Sequence, residues 1–195
     1  MNYPLNLTFR ITTISNDFTI QDASGENIAF VRQKLLKLKE QVDVYKDPSR
    51  SELQYKIKAN KWLDFSASYA FFSADDKEMG RVARRGWKSL WKAHYEIYDE
   101  NDVQEFLVSE ENPWTKVLDS TVGEIPVIGM FTGYWFHPSY IVARPDGTPV
   151  AQLKKVKSFF GRRFVINKLG EFDTAEEQRI ILGLMMMILL ERQRG

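Results

Sequence analysis

A chain of 195 residues, 44% hydrophobic and 27% charged, can bury one sizeable core and is neither disordered nor a multi-pass membrane protein. Its 27 Lys and Arg balance 26 Asp and Glu, which excludes a general polyanion binder while leaving room for local patches. The absence of cysteine excludes disulfides, thiolate metal sites, a cysteine nucleophile and palmitoylation. The N-terminal MNYPLNLTFRITTISND has no basic lead followed by an apolar run, so no secretory signal is expected and the cytoplasm is the default location.

The first element is a strand: Leu5, Leu7, Phe9 and Ile11 point one way, and Asn6, Thr8 and Arg10 the other. Runs at 18–22 and 27–32 flank ASGE, a hairpin turn through Gly25. Further strands are expected at 42–45, 53–57, 69–73, 79–85, 94–98 and 103–108, with ADDKE as the turn between 69–73 and 79–85. A short helix is expected near 113–120, with Asn112 as N-cap, Pro113 at its first position, and Trp114, Val117 and Leu118 on one face. The apolar, Gly- and Pro-rich stretch 123–140 reads as a barrel plug, the mouth of a cavity, or a membrane-dipping loop led by Ile128, Met130 and Phe131. Strands at 140–144 and 149–155 flank a Pro-Asp-Gly turn, and one at 164–166 follows. A final helix begins near Thr174, capped by Asp173 or Thr174 with Glu176 or Glu177 completing a capping box, and runs to about 192.

Three of these stretches repeat one unit of hairpin, basic crossing and strand, the crossings being 32–39, 83–92 and 154–163. Their irregular spacing favours a closed barrel over a solenoid. Ile180 to Leu190 carry no polar side chain, yet eleven residues make only about 16 Å of helix, where a membrane span needs ~20 residues. Charged residues flank both ends, and no polar face exists for lying on a membrane surface. A helix that is apolar all round belongs at the centre of something, and barrels of about eleven strands can house one. Gly183 would let a ring of the barrel approach closely. The expected fold is therefore mainly β: a closed antiparallel barrel of about twelve strands around a central hydrophobic helix at 174–192, as one domain over 1–195, with the short helix at 113–120.

On these features the chain resembles the tubby C-terminal-like superfamily, and within it LURP-one-related and phospholipid-scramblase-like proteins. The residues that carry the resemblance are Asp22 and Gly25, Asp146 and Gly147, FGRRFVI at 160–166, and GEFDTAEEQRIILGLMMMILLER at 170–192. The resemblance implies a closed barrel around its C-terminal helix, and roles in binding membranes or phosphoinositides, lipid scrambling or signalling. Where scramblases carry an acidic calcium-binding stretch, this chain has NKLGEFD, and Asn167, Glu171 and Asp173 supply too few oxygens for a six- to eight-coordinate ion. A calcium-activated scramblase is not expected.

His94 and His137 stand in no metal or triad spacing and read as packed barrel residues. DENDVQE at 99–105 lacks the glycine and terminal Glu of an EF-hand and reads as a solvated turn. No phosphate-binding loop or nucleophile elbow is present. The functional candidates are the basic crossings: Arg84, Arg85, Lys88 and Lys92 interleave with Trp87 and Trp91, and Lys154, Lys155, Lys157, Arg162 and Arg163 surround Phe159 and Phe160. Cations for phosphate beside aromatic rings suit a lipid surface, and also single-stranded nucleic acid, although no nucleic acid partner is expected. Strand alternation explains the same pattern without a ligand, by turning rings to the core and cations to water. The sequence thus points to a non-enzymatic binding or regulatory protein, without cofactor, metal or transmembrane span, peripheral to membranes of anionic phospholipid or phosphoinositide. A protein-interaction scaffold without lipid is the alternative, and scramblase-like lipid transport ranks behind both.

Overall fold

A computed structural model of the protein describes residues 1–9, 17–32, 41–60, 68–84, 94–111, 139–156 and 163–192, with side chains as far as Leu190. Alternation of apolar and polar side chains produces twelve strands. They are β1 (Leu5–Phe9), β2 (Phe18–Gln21), β3 (Asn27–Arg32), β4 (Gln41–Tyr45), β5 (Leu53–Asn60), β6 (Ser68–Ser73), β7 (Glu78–Arg84), β8 (His94–Tyr98), β9 (Gln104–Glu110), β10 (Ser139–Ala143), β11 (Pro149–Val156) and β12 (Arg163–Lys168). Each pairs antiparallel with its neighbour in sequence, and β1 returns to β12 with Leu5 opposite Ile166, closing the barrel. Twelve strands at ~4.8 Å spacing, tilted as barrel strands are, make a ring roughly 24 Å across.

That width leaves room for a helix of ~10–12 Å. Helix α1 (Thr174–Arg192) fills it. All eleven residues from Arg179 to Leu189 are buried, on every side of the helix, among inward-facing residues drawn from all twelve strands, such as Leu7, Ile20, Val31, Val44, Phe71 and Ile166. No described helix is long and apolar enough to cross a membrane, in line with the short run of apolar residues. The close approach at Gly183 comes chiefly from an aliphatic chain rather than a ring. A Cβ there would stand 2.7 Å from Ile97 Cδ1, with the Phe71 ring at 4.0 Å.

Five hairpins at one end of the barrel repeat a single turn design. Gly25, Arg50, Asp76, Asp102 and Gly147 all have positive φ, and each donates its N–H to the carbonyl three residues back. The strand pairing shifts by one residue just before each turn, as happens when a type I turn is followed by a left-handed residue. Aspartates brace four of the loops: Asp22, Asp47, Asp99 and Asp146 accept the backbone N–H two residues on, at 2.9, 2.7, 2.9 and 2.8 Å. The N-terminus and the start of α1 lie at this same end, here called the turn rim. The strands leave the opposite end, the crossing rim, through segments outside the described residues. The expected helix at 113–120, the stretch 123–138 and His137 fall in those segments.

Candidate functional site

At the turn rim the entry of α1 into the barrel is held by two arginines. Asp173 and Glu176 form the full capping box, Glu176 N–H donating to Asp173 Oδ1 at 2.8 Å and Asp173 N–H to Glu176 Oε2 at 2.9 Å. Arg144, at the β10–β11 turn, grips the same Glu176 with both guanidinium nitrogens at 2.7 and 3.1 Å and reaches the Glu171 carbonyl at 3.1 Å. Its hydrogen bonds hold the Glu176 carboxyl below the usual carboxylate range, against a smaller opposing effect of burial.

One turn further in, Arg179 is itself buried and donates to both oxygens of Glu105 at 2.6 Å. It also reaches Glu100 and the Met79 carbonyl at 3.3 Å. Gly80 is required beside it: φ is +131°, and a Cβ would strike the Tyr98 carbonyl and lie 2.8 Å from Arg179 Cδ. The acidic stretch at 99–105 is thus more than a solvated turn. Glu100 and Glu105 are the counter-charges of a helix residue 79 and 74 positions away. Tyr3 closes the mouth, its ring edge-on to Phe172, and burial, with Glu177 nearby, raises its hydroxyl pKa.

Further ion pairs line the rest of the turn rim. Asp76 takes Lys56 at 2.8 Å and Lys58 at 3.0 Å, and Asp102 takes Arg81 at 2.7 Å with the guanidinium 3.8 Å above the Tyr98 ring. Lys46–Glu52 and Lys168–Glu171 complete the set. Hydrogen bonds from Lys56 and Lys58 hold the Asp76 carboxyl down, as the Ser24 hydroxyl does for Asp22. Every ion pair between two described residues has its acid on this side of the barrel.

The crossing rim differs. Of the basic residues singled out from the sequence, Arg84, Lys154, Lys155 and Arg163 are described, while Arg85, Lys88, Lys92, Lys157 and Arg162 lie outside the described residues. All four are strand residues rather than parts of a loop. Arg84 ends β7, Arg163 begins β12 opposite Val156, and Lys154 and Lys155 are rungs of β11. Lys154 and Arg163 are exposed, on the outer face. Arg84 pairs with Tyr95 and Lys155 with Phe164, which puts both on the inward-facing register at the lip of the barrel, half-buried. None of the four makes an ion pair with a described residue, and neither does Arg32, the exposed last residue of β3. Arg32 heads the first basic crossing and was not among the candidates.

The sequence of the connecting segments extends this contrast. The six connections of the turn rim hold twelve acidic and four basic residues, whereas the six of the crossing rim hold eleven basic and six acidic. All five tryptophans, Trp62, Trp87, Trp91, Trp114 and Trp135, belong to crossing-rim connections. His94 lies on β8 opposite Ser109, and no cluster of three or more metal-ligating side chains occurs among the described residues.

A protein-family model described as LURP-one-related matches residues 28–175, from β3 to the first residues of α1. No curated protein and no solved structure gives a significant match.

Proposed function

We propose that this chain, which belongs to the LURP-one-related family and so is related to the tubby-like superfamily, is a non-enzymatic binding protein that attaches peripherally to anionic phospholipid through its crossing rim. The family's barrels are generally non-enzymatic, and a lipid- or protein-binding role is as far as membership reaches. The observation that carries the reading is the uneven pairing of charge: most turn-rim cations, Arg50 and Lys77 excepted, are spent on internal carboxylates, whereas Arg32, Arg84, Lys154, Lys155 and Arg163 make no ion pair with a described residue. An unpaired Lys or Arg near an anionic bilayer contributes about 1 kcal/mol of binding each. Trp87 and Trp91, in the connection that follows Arg84, have the amphipathic rings that favour the headgroup level.

Co-sedimentation with liposomes at low and high salt tests this. Binding to phosphatidylserine vesicles that weakens with salt, is absent with phosphatidylcholine, and falls when Arg84, Arg85, Lys154 and Lys155 are changed to Gln supports the reading. Binding unaffected by those changes overturns it. Vesicles that stay bare while a pull-down retains a protein partner would instead make the barrel an interaction scaffold.

A further inference from the structure

The residues of α1 that the barrel encloses are close to interchangeable. From Ile180 to Leu190 every position but Gly183 is Ile, Leu or Met, and Met185, Met186 and Met187 are three adaptable side chains in succession. The wall facing them is apolar as well. Advancing the helix by one residue along its own screw turns it by about 100° and moves it about 1.5 Å. Such a step lays one aliphatic or thioether side chain where another lay before, an exchange that cores tolerate well. Burial thus holds α1 inside the barrel without choosing its rotation or its depth. The capping box chooses neither, because Asp173 and Glu176 both travel with the helix.

Three contacts with the wall discriminate more sharply, and they are unequal. A one-residue step would bring Leu182 or Leu184 to the place where Gly183 meets Ile97, but the obstacle there is the far end of a flexible side chain. Arg144 holds Glu176, yet the next residue is Glu177, so a step in one direction leaves Arg144 with a carboxylate. Arg179 differs from both. It is the only basic residue of α1 before Arg192, and its neighbours are Gln178 and Ile180. A step in either direction therefore sets Glu105 against a side chain that cannot neutralise it. The Glu105 side chain is only 17% exposed, and Arg179 takes both of its oxygens at 2.6 Å. A carboxylate left there without its cation is strongly disfavoured. The same guanidinium reaches the Met79 carbonyl on β7 and Glu100 in the β8–β9 turn, so it is tied to neighbouring strands at once.

We infer that Arg179 is the register pin of α1: with Glu105 it selects one rotation and one depth of the helix among several that the apolar core accepts. A single buried polar group fixes the register of a uniform apolar interface in coiled coils by the same logic. Arg179 is a positioning residue, and it acts whether or not the crossing rim meets lipid. Removing Arg179 alone strands Glu105, whereas replacing both members by apolar groups relieves that burial and leaves the helix enclosed but unselected.

The test compares the full chain with R179M, R179M/E105L and R144M by NMR of methionine methyl groups and by urea unfolding. In the wild type, Met185, Met186 and Met187 each give one methyl signal. R179M/E105L stays folded with a higher urea midpoint than R179M, yet its three signals split into two or more sets or broaden by exchange between them. R144M, which loosens the other clamp, keeps one set. The inference is overturned if R179M/E105L keeps one sharp set, if adding E105L to R179M lowers the midpoint further, or if the wild type already shows several sets. A double variant that does not fold overturns it as well, because the pair would then be required for stability and not for choice of register.

Discussion

The two rims of the barrel are built from the same strands and carry opposite kinds of charge chemistry. At the turn rim, short Asp-braced loops, the capping box and the Arg144 and Arg179 pairs tie most of the cations to carboxylates of the chain. At the crossing rim the described cations are left without carboxylate partners. The difference teaches where each end spends its electrostatics. The turn rim uses charge to seat the helix in the barrel, and the described cations of the crossing rim make no ion pair with a described residue. Changes at the core and turn rim should therefore cost stability, and changes at the crossing rim should cost binding alone.

The largest effect is expected at the shared axle. Leu184 and Met186 are fully buried in α1. Leu184→Asp or Met186→Asp would bury a carboxylate with no partner, at a cost above about 5 kcal/mol, comparable to the stability of a whole domain. Circular dichroism should show no cooperative unfolding and the protein should collect in the insoluble fraction. A soluble folded barrel carrying either change would mean that the helix does not sit inside it.

Next is the buried ion pair of the turn rim. Arg179→Met removes the partner of Glu105 and should cost about 3–5 kcal/mol, read as a lower urea midpoint at unchanged slope. A cost below about 1 kcal/mol would place the pair with ordinary surface salt bridges. Smaller again is the acid response of the Arg144–Glu176 pair. Because the Glu176 pKa is depressed in the folded state, its contribution is complete above the ordinary carboxylate value of 4.5 and is lost as pH falls through the lower folded value. Urea midpoints should thus decline on acidification, and less steeply in Arg144→Met. An identical slope in the variant would remove this pair from the account.

The smallest stability effect should come from the crossing rim. Arg84→Gln and Arg163→Gln leave no described carboxylate unpaired, so unfolding midpoints should shift by less than about 0.5 kcal/mol. Their vesicle affinity should nevertheless fall about fivefold each. A large loss of stability would erase the distinction between the two rims.

Much of the barrel was legible locally. Period-two runs located all twelve strands, and Asp146-Gly147 and Asp22…Gly25 marked two of the five turns by turn chemistry. The other three positive-φ positions are Arg50, Asp76 and Asp102, where no glycine announces the conformation. Asp173 and Glu176 were legible as a capping box because both members lie within one turn of helix. Arg179 was not. In sequence it is one more flanking charge of an apolar helix, and its burial depends on Glu105, 74 residues earlier. Arg84, Lys154, Lys155 and Arg163 were legible as basic residues near rings, but not as strand residues without an ion pair to any described residue. That property depends on which acids the fold brings near them.

The sequence by itself determined where the strands run, which face of the first one turns inward, and that the last helix must be surrounded. These follow from periodicity and composition, which act between residues a few positions apart. Only the tertiary structure decided that β1 closes on β12 and that five turns and the helix entry share one rim. Those outcomes join residues far apart in the chain, and ring closure, not any local preference, sets which described charges meet, as Arg179 meets Glu105.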